Sequence, residues 1–368
     1  MTLEAVELRR IRMALVAPFE TSFGVQTARD ILLVRAITDV GEGWGECVAL
    51  EEPVYSPEYV ASAQDVLIHH LLPRLFRAGR LSARDVGDVL HPIHGHQMAK
   101  AAIEMAVLDA ELRGRGEPFS AYFGAVRTEV DCGVSVGIHS SIPALLETVG
   151  GYVEEGYRRI KLKIKPGWDV EPVRAVRERF GAVPLQVAAN TAYAVTDAQH
   201  LAELDPFDLL LIEQPLPEEQ VLAHSTLARV VRTPICLDES ITSAQGATDA
   251  IALGACRIIN IKPGRVGGYL EAKRIHDVCA ASDVPVWMGG MLETGIGRAA
   301  NVAMAAMDDF KLPGDTSASS RYYHRDITEP FVLHDGRLRV PTGPGLGVTV
   351  DVEYLESLTT WKETFRPG

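Results

Sequence analysis

Four short apolar, β-branched segments follow one another in the second half of the chain: PLQVAAN (184–190), LLLIEQP (209–215), TPICLDES (233–240) and RIINIKPG (257–264). Near its end each segment carries one residue of a regular series, spaced 25, 25 and 24 residues apart: Ala188, Glu213, Asp238 and Lys262. A repeat of this length, with polar groups at matching points, is typical of successive βα units of a barrel. The series therefore predicts that the four positions lie around one mouth of a barrel.

The same alternation extends in both directions along the chain. Strand candidates begin near residues 130, 159, 184, 209, 234, 257, 284 and 309, with helix-sized segments between them. We place Thr196 and Ser243 as helix N-caps and Gly254 as a helix stop. Eight strand starts about 25 residues apart predict a (β/α)8-type barrel with right-handed connections.

The flanking sequence predicts a second, smaller domain. Residues 1–125 begin with strand-like alternation and continue with long helical patterns, which is typical of an α+β domain. We assign 126–320 to the barrel. Residues 321–368 lose the repeat and carry the turn-rich stretch PTGPGLGV, and we expect this segment to return to the first domain.

Composition excludes several classes of protein. The formal charge of −13 argues against nucleic acid and anionic membranes as partners. No apolar run approaches the roughly 18 residues that span a bilayer, and the N-terminus has no signal-peptide pattern. The five cysteines are scattered and never spaced as CxxC, so they predict reduced thiols. We expect a cytoplasmic protein.

The segment RRIKLKIKPG (158–167) places two lysines on one face of the second barrel strand. Period-two alternation puts Lys161 and Lys163 together, facing the barrel interior, because helices cover the outside. Desolvation and like charge both lower a lysine pKa, which favours a base that works near neutral pH. The alternative is a pair of solvated lysines on an edge, since Lys165 continues the series outward.

Carboxylates at the tips of buried strands are costly unless they are paired or bind a metal ion. Glu213 and Asp238 occupy such positions, and hard oxygen ligands suit Mg²⁺ or Mn²⁺. Taken singly, each carboxylate is explained by a salt bridge to a barrel lysine. Together with the spacing, they favour a metal site. Lys262 is expected across the barrel from Lys161 and Lys163, so two amines would face one substrate carbon from opposite sides.

Several longer motifs, in order along nearly the whole chain, resemble the enolase superfamily. They are FETSFGVQT, EGWGECV, KLKIKPGWD, VAANTAY, LLIEQPL, CLDES, NIKPGRVGGY, WMGGMLETGIGRAAN and GDTSAS. The branch they resemble contains the o-succinylbenzoate synthases and the N-acylamino acid (N-succinylamino acid) racemases. The resemblance implies an α/β fold: a modified (β/α)7β barrel of the TIM type with an N-terminal α+β capping domain. It also implies a homo-oligomer.

The resemblance assigns roles to individual positions. Lys163 and Lys262 would be the opposing acid/base catalysts, and Lys161 would tune Lys163 and help to neutralise the substrate. The metal ligands would be Glu213 and Asp238, together with an Asp at position 188, where this chain has Ala188. The substrate-binding positions would be Phe19, Phe23, Leu50, Tyr55, Ser135, Asn190, Gly290, Met291 and Glu293. The GRVGG run (264–268) lacks the lysine of a P-loop and is predicted to be a turn.

Ala188 limits the activity that the resemblance implies. Loss of one of three anionic ligands should weaken binding of Mg²⁺ or Mn²⁺, and Asn190 offers only a neutral oxygen in its place. We therefore expect metal-dependent racemisation of N-acylamino acids (N-succinyl or N-acetyl) by 1,1-proton transfer through an enolate, crippled in this chain. The alternatives are o-succinylbenzoate synthase, which acts by syn-dehydration in menaquinone synthesis, and a metal-free binding protein. Ala188 is either an engineered inactivation or natural drift, and the intact ANTAY motif favours the former.

Overall fold

The computed structural model describes residues 1–368 as three sheets, of four, seven and two strands, with surrounding helices. The strands are β1 (Leu3–Thr21), β2 (Gly24–Thr38), β3 (Gly41–Cys47), β4 (Glu129–Asp131), β5 (Gly133–Val136), β6 (Arg159–Lys163), β7 (Leu185–Ala188), β8 (Ile212–Glu213), β9 (Ile235–Leu237), β10 (Ile258–Ile261), β11 (Val286–Met288), β12 (Arg337–Arg339) and β13 (Thr359–Phe365).

Fourteen α-helices connect and cover these strands. They are α1 (Val60–Val66), α2 (Leu72–Ala78), α3 (Ala83–Leu90), α4 (Gln97–Arg115), α5 (Phe119–Tyr122), α6 (Ile142–Glu154), α7 (Val170–Phe180), α8 (Ala198–Leu201), α9 (Val221–Leu227), α10 (Ala244–Ala252), α11 (Pro263–Val266), α12 (Tyr269–Ala281), α13 (Gly295–Ala305) and α14 (Val352–Leu358). A π-helical turn at Leu67–Leu71 joins α1 to α2. None of the helices is both long enough and apolar enough to cross a membrane.

The capping domain is built on an antiparallel sheet with the strand order β13-β1-β2-β3. Helix α4 packs closely on β3, and two glycines permit this approach. A Cβ on Gly45 would lie 2.0 Å from the carbonyl oxygen of Ala102, and one on Gly43 would lie 2.2 Å from that of Ala106. Strand β13 comes from the C-terminal segment and pairs with β1. The boundaries 1–125, 126–320 and 321–368 stay a prediction.

The barrel contains seven parallel strands in chain order, β5 to β11. Because consecutive strands are neighbours and all run the same way, their C-terminal ends lie at one end of the sheet. Strand β4 is outside this sheet and pairs with β12. The first barrel strand therefore begins at Gly133 rather than near residue 130. The predicted α/β fold with a (β/α)7β barrel and a capping domain is confirmed.

The eighth strand predicted near residue 309 is not present as a strand. Residues there make isolated parallel bridges, Phe310 to Val286 and Gly314 to Cys132. The amide of Gly133 also donates to the carbonyl oxygen of Gly314 at 2.7 Å. The segment thus joins β11 to β5 and closes the barrel without regular pairing.

The helix boundaries follow the predicted caps in part. The Ser243 side chain accepts a hydrogen bond from the Gly246 amide and caps α10. Gly254 has φ +65 and lies just after this helix, as predicted for a helix stop. Thr196 is not an N-cap. It lies inside the 3-10 turn Val195–Asp197, because the chain turns earlier, after Ala194.

Candidate active site

Five positions of the predicted site lie at the C-terminal ends of adjacent barrel strands. Lys163, Ala188 and Glu213 are the last residues of β6, β7 and β8. Asp238 and Lys262 directly follow β9 and β10. Strand register pairs Ala188 with Lys163 on one side and with Glu213 on the other. The structure therefore brings the regular series of the sequence to one mouth, as predicted.

Lys161 lies one layer deeper in the barrel and is held by two carboxylates. Its Nζ is 3.1 Å from Glu213 Oε2 and 2.5 Å from Asp315 Oδ2. Burial alone would lower the pKa of Lys161, but Asp315 and Glu213 outweigh burial and raise it above its usual value. Lys161 is therefore a fixed positive charge at the base of the site.

Lys163 has a different environment on the same strand. Its Nζ donates to Asn190 Oδ1 at 2.7 Å, and no carboxylate forms a salt bridge with it. Burial, together with the charge of Lys161, lowers the pKa of Lys163 to about 8. A substantial fraction of Lys163 is thus neutral near physiological pH, which is the state that a general base requires.

Asn190 connects Lys163 to a buried carboxyl group that the sequence did not single out. The Asn190 Nδ2 donates to Glu239 Oε1 at 2.8 Å. Burial and the neighbouring Asp238 raise the pKa of Glu239 to about 8. Asn190 lies beyond the end of β7 with φ +45, and its amide oxygen is engaged by Lys163. Its role as a neutral metal ligand stays a prediction.

Lys262 lies across the barrel and is held by one carboxylate and one phenol. Its Nζ donates to Asp238 Oδ2 at 2.8 Å and to the hydroxyl of Tyr55 at 3.2 Å. Burial alone would lower the pKa of Lys262, but Asp238 raises it well above its usual value. Arg265 also forms a buried ion pair with Asp238. The two predicted acid/base lysines therefore differ: Lys262 stays protonated where Lys163 is poised to lose its proton.

The predicted substrate-binding loops of the capping domain reach the site through Tyr55. Phe23 packs on Tyr55 with a ring-centroid distance of 6.5 Å. Phe23 and Leu50 help to line a cavity of about 220 Å³ between residues 23–30, at the start of β2, and the loop at residues 50–54. Phe19 is buried and packs against Tyr322. Phe19 forms no cation–π contact with the site lysines.

The remaining predicted pocket residues lie on barrel segments. Their hydrogen bonds are formed with neighbouring residues rather than with the site lysines. The carbonyl oxygen of Ser135, on β5, accepts a hydrogen bond from Arg321. Glu293 Oε1 accepts from the amide of Met291 and from Asn301 Nδ2. Gly290 has no room for a side chain, because a Cβ there would lie 2.9 Å from the carbonyl oxygen of Asp315. These residues form no hydrogen bond or ion pair with Lys161, Lys163 or Lys262, and their substrate-binding roles stay predictions.

Sequence reasoning missed several charged residues that hold the site together. Arg265 was placed in a predicted turn, but residues Pro263–Val266 form the short helix α11, and Arg265 is buried against Asp238. Asp315 binds both Lys161 and Arg159, the latter at 2.9 Å. The GDTSAS and NIKPGRVGGY motifs contained both residues, but no local pattern indicated which strands their side chains would meet.

Residues 144–355, which include most of the barrel, match a family model described as "Enolase C-terminal domain-like".

The chain belongs to the enolase superfamily.

Individual members of the superfamily resemble the chain along its whole length. An N-succinylamino acid racemase from an Amycolatopsis species is 64% identical, with 98% of this chain and 99% of the relative covered. An o-succinylbenzoate synthase from Geobacillus kaustophilus is 47% identical over 99% of this chain and 97% of the relative. The chain is therefore of the racemase and synthase type within the enolase superfamily, whose enzymes are isomerases and lyases.

Solved structures of the superfamily show the same architecture. An enolase-superfamily protein from Listeria innocua has a TM-score of 0.96 at 39% identity, with both chains fully covered. A dipeptide epimerase from Cytophaga hutchinsonii, solved with Mg and a dipeptide, has a TM-score of 0.90 at 26% identity and covers 99% of this chain and 100% of its own.

The residues present in this enolase-superfamily chain do not make a complete Mg²⁺ site. Two carboxylates, Glu213 and Asp238, stand where three anionic ligands are expected, because Ala188 presents a methyl group. Both oxygens of Asp238 are already paired with Lys262 and Arg265. No group of three or more His, Cys, Asp or Glu side chains is arranged to hold a metal ion. Lys161, Lys262 and Arg265 form ion pairs with these two carboxylates.

Proposed function

We propose that the chain has the acid/base machinery of an N-acylamino acid racemase, acting on N-succinyl or N-acetyl amino acids, and that Ala188 leaves it nearly inactive. The observation that carries this proposal is the pair of lysines with opposite environments on opposite sides of the barrel. Lys163 has a pKa lowered to about 8, and Lys262 has a pKa raised by Asp238. A two-base racemase needs one amine that accepts a proton and a second that donates one.

The side chains divide the proton transfers between them. Neutral Lys163 removes the proton from Cα of a substrate held between the two amines, and protonated Lys262 delivers a proton to the opposite face. For the other enantiomer the order is reversed, starting from the form that the first transfer leaves, in which Lys163 carries the proton and Lys262 is neutral. Lys161, whose charge is fixed by Asp315 and Glu213, attracts the substrate carboxylate and stabilises the negative charge that develops. Charge complementarity of this kind is usually a large part of catalysis.

The missing carboxylate explains the low activity that we propose. A divalent ion, when bound, supplies positive charge next to the carboxylate of the enolate. Loss of one group that stabilises such an oxyanion typically costs about 10²–10³ in rate, and loss of the ion costs more. With Glu213 and Asp238 as the remaining anionic ligands, we expect Mg²⁺ or Mn²⁺ to bind weakly and the chain to fold without it.

Restoring the carboxylate tests the proposal. In the Ala188→Asp variant we expect Mg²⁺ or Mn²⁺ to raise the melting temperature, because a ligand that binds only the folded state stabilises it. We also expect racemisation of N-succinyl amino acids and exchange of the Cα hydrogen with deuterated solvent. Ala189→Asp, at a buried position one residue further on, is the matched control and should gain neither property. The racemase proposal is wrong if the restored variant binds metal but neither racemises nor exchanges.

The identity to the Geobacillus synthase favours o-succinylbenzoate synthase as the second candidate. Syn-dehydration uses the same lysines, so the site geometry does not separate the two activities. Turnover of the synthase substrate by the Ala188→Asp variant, compared with its racemisation rate, tests this alternative. The third candidate is a metal-free binding protein. It requires tight binding of an N-acylamino acid to the unmodified chain, measured by calorimetry, with no change on adding Mg²⁺.

The setting of the protein is part of the proposal. All five cysteines are free and buried, in agreement with the reducing cytoplasm that we propose as its location. A small N-acylamino acid or related carboxylate is the proposed partner, rather than a nucleic acid or a membrane. A homo-oligomer is proposed from the resemblance to the family, and light scattering of the purified chain measures it.

A further inference from the structure

Tyr55 is the one capping-domain side chain that forms a hydrogen bond with any of the three site lysines. It lies in the loop between β3 and α1. The two ends of this loop are tied together, because Leu50 forms a parallel bridge with Tyr59 and accepts a hydrogen bond from the Val60 amide at 2.9 Å. Tyr55 therefore projects into the barrel from a loop whose two ends are held together.

The phenol of Tyr55 contacts Lys262 in two ways. Its hydroxyl accepts a hydrogen bond from Lys262 Nζ at 3.2 Å and donates one to Asp238 Oδ1 at 3.1 Å. Its ring centroid is 4.5 Å from the same Nζ, which is a cation–π distance. Burial raises the pKa of Tyr55 above its usual value, so the hydroxyl keeps the proton that it donates to Asp238.

These contacts fix the direction of a flexible side chain. A lysine has a four-carbon stem with freely rotating donors, so the position of its amine depends on its partners. Asp238 and Tyr55 hold the Lys262 amine from two directions. Lys163 forms no hydrogen bond with Tyr55, and its partner is Asn190 from the barrel. A change at Tyr55 therefore reaches one of the two bases directly and leaves the contacts of the other intact.

We propose that Tyr55 is a positioning residue for Lys262: its hydroxyl and ring hold the Lys262 amine toward one face of the substrate Cα. The inference rests on the proposed racemase function, and it adds an asymmetry to that function. Lys262 depends on a capping-domain side chain for its position, whereas Lys163 is positioned by the barrel alone.

The test distinguishes the two bases by the enantiomer of the substrate from which each one removes the proton. In the Ala188→Asp chain, exchange of the Cα hydrogen with deuterated solvent is measured from the D and the L enantiomer of an N-succinyl amino acid. Lys262→Ala identifies the enantiomer from which Lys262 removes the proton. Tyr55→Phe should slow exchange from that enantiomer by about tenfold, the worth of one hydrogen bond to a charged group. Exchange from the other enantiomer should stay within about twofold.

Tyr59→Phe is the matched control, because Tyr59 lies at the end of the same loop with an exposed ring. It should leave both exchange rates unchanged. Equal slowing from both enantiomers after Tyr55→Phe would mean that Tyr55 acts only on substrate binding or loop closure. Unchanged rates from both would mean that Lys262 does not depend on Tyr55. Either result overturns the inference.

A second measurement does not depend on activity. Crystal structures of the unmodified chain and of its Tyr55→Phe variant show whether the Lys262 amine keeps its place. We expect the amine to move or to occupy more than one position in the variant, while Lys163 stays on Asn190. A Lys262 amine that is unchanged beside Asp238 overturns the inference. If the Ala188→Asp parent shows no exchange from either enantiomer, the racemase proposal has failed, and these structures alone decide the role of Tyr55.

Discussion

At the scale of single residues, the charge state of each site lysine is set by its partners. Lys161 and Lys163 are two residues apart on β6, and both are buried. Two carboxylates keep the first charged, whereas an amide oxygen is the partner of the second. Desolvation acts on both amines, so the difference in their pKa comes from the neighbouring charges. One strand thus supplies both a fixed cation and a base.

Asp315 balances the positive charges of two buried cations deeper in the barrel. It pairs with Arg159 and Lys161, and all three side chains are buried. We expect Asp315→Asn to lower the free energy of unfolding by about 3–5 kcal/mol, because it leaves two buried cations without their shared anion. Urea unfolding measures the change.

The matched control for this prediction is Asp335→Asn. Asp335 also pairs with an arginine, Arg158, but its side chain is 86% exposed. A surface pair of this kind contributes less than about 1 kcal/mol. Equal losses in the two variants would contradict the importance that we assign to the buried cluster.

At the scale of elements, the close packing of α4 on β3 depends on glycine. The motif EGWGECV places Gly43 and Gly45 on the face of β3 that contacts the helix backbone. The sequence identified this motif by resemblance, but the reason for its glycines is a contact with a helix about 60 residues further along the chain. Local propensity alone would count glycine as unfavourable in a strand.

Gly45→Ala should therefore lower the free energy of unfolding by about 3 kcal/mol, measured by chemical denaturation. The added Cβ would lie 2.0 Å from the backbone oxygen of Ala102, so the helix must shift. Gly87→Ala is the control, because Gly87 lies within α3 and has no atom within 4 Å of an added Cβ. We expect Gly87→Ala to stabilise the protein by about 0.5–1 kcal/mol. If Gly45→Ala leaves the free energy of unfolding unchanged, α4 and β3 can move apart at little cost and the prediction is wrong.

At the scale of the whole molecule, two capping-domain carboxylates bind the N-termini of barrel helices. Glu46 accepts hydrogen bonds from the amides of Thr294 and Gly297, each at 3.0 Å, at the start of α13. Glu104 accepts hydrogen bonds from the first amides of α12. Helix N-termini favour negative charge, so these contacts join the domains at the helices that follow β10 and β11. Burial nevertheless raises the pKa of Glu46 to about 7.

The raised pKa of Glu46 predicts how stability depends on pH. The folded-state value lies above the ordinary value of 4.5, so the protonated form favours folding. This contribution is fully present below pH 4.5 and is lost as the pH rises through about 7. Glu46→Gln removes the titration, so the variant should gain up to about 3 kcal/mol relative to the parent between pH 5 and pH 8. Thermal unfolding across this range measures the difference.

Glu353→Gln serves as the control for the pH prediction, because Glu353 is exposed on α14. The Glu353→Gln variant should have the same free energy of unfolding as the parent at every pH. A Glu46→Gln variant that also follows the parent would contradict a protonated Glu46 in the folded state.

The amino-acid sequence by itself determined the barrel, the order of its strands and the residues at their C-terminal ends. These features follow from a 25-residue repeat and from period-two alternation, which are local properties of the chain. The positions of Lys161, Lys163, Glu213, Asp238 and Lys262 were predicted in this way. The vacancy at Ala188 could also be read from the sequence, by comparison with the family motif.

Only the tertiary structure decided which charges meet. Asp315 reaches Lys161 across 154 positions of the chain, and Tyr55 reaches Lys262 across 207. The irregular closure near residue 310 was likewise decided by the fit between β11 and β5. No periodicity encodes such contacts, because they depend on how distant segments pack. The pKa of each lysine depends on these contacts. They therefore also decide that Lys163 has the lowered pKa of a base and that Lys262 stays protonated as the acid.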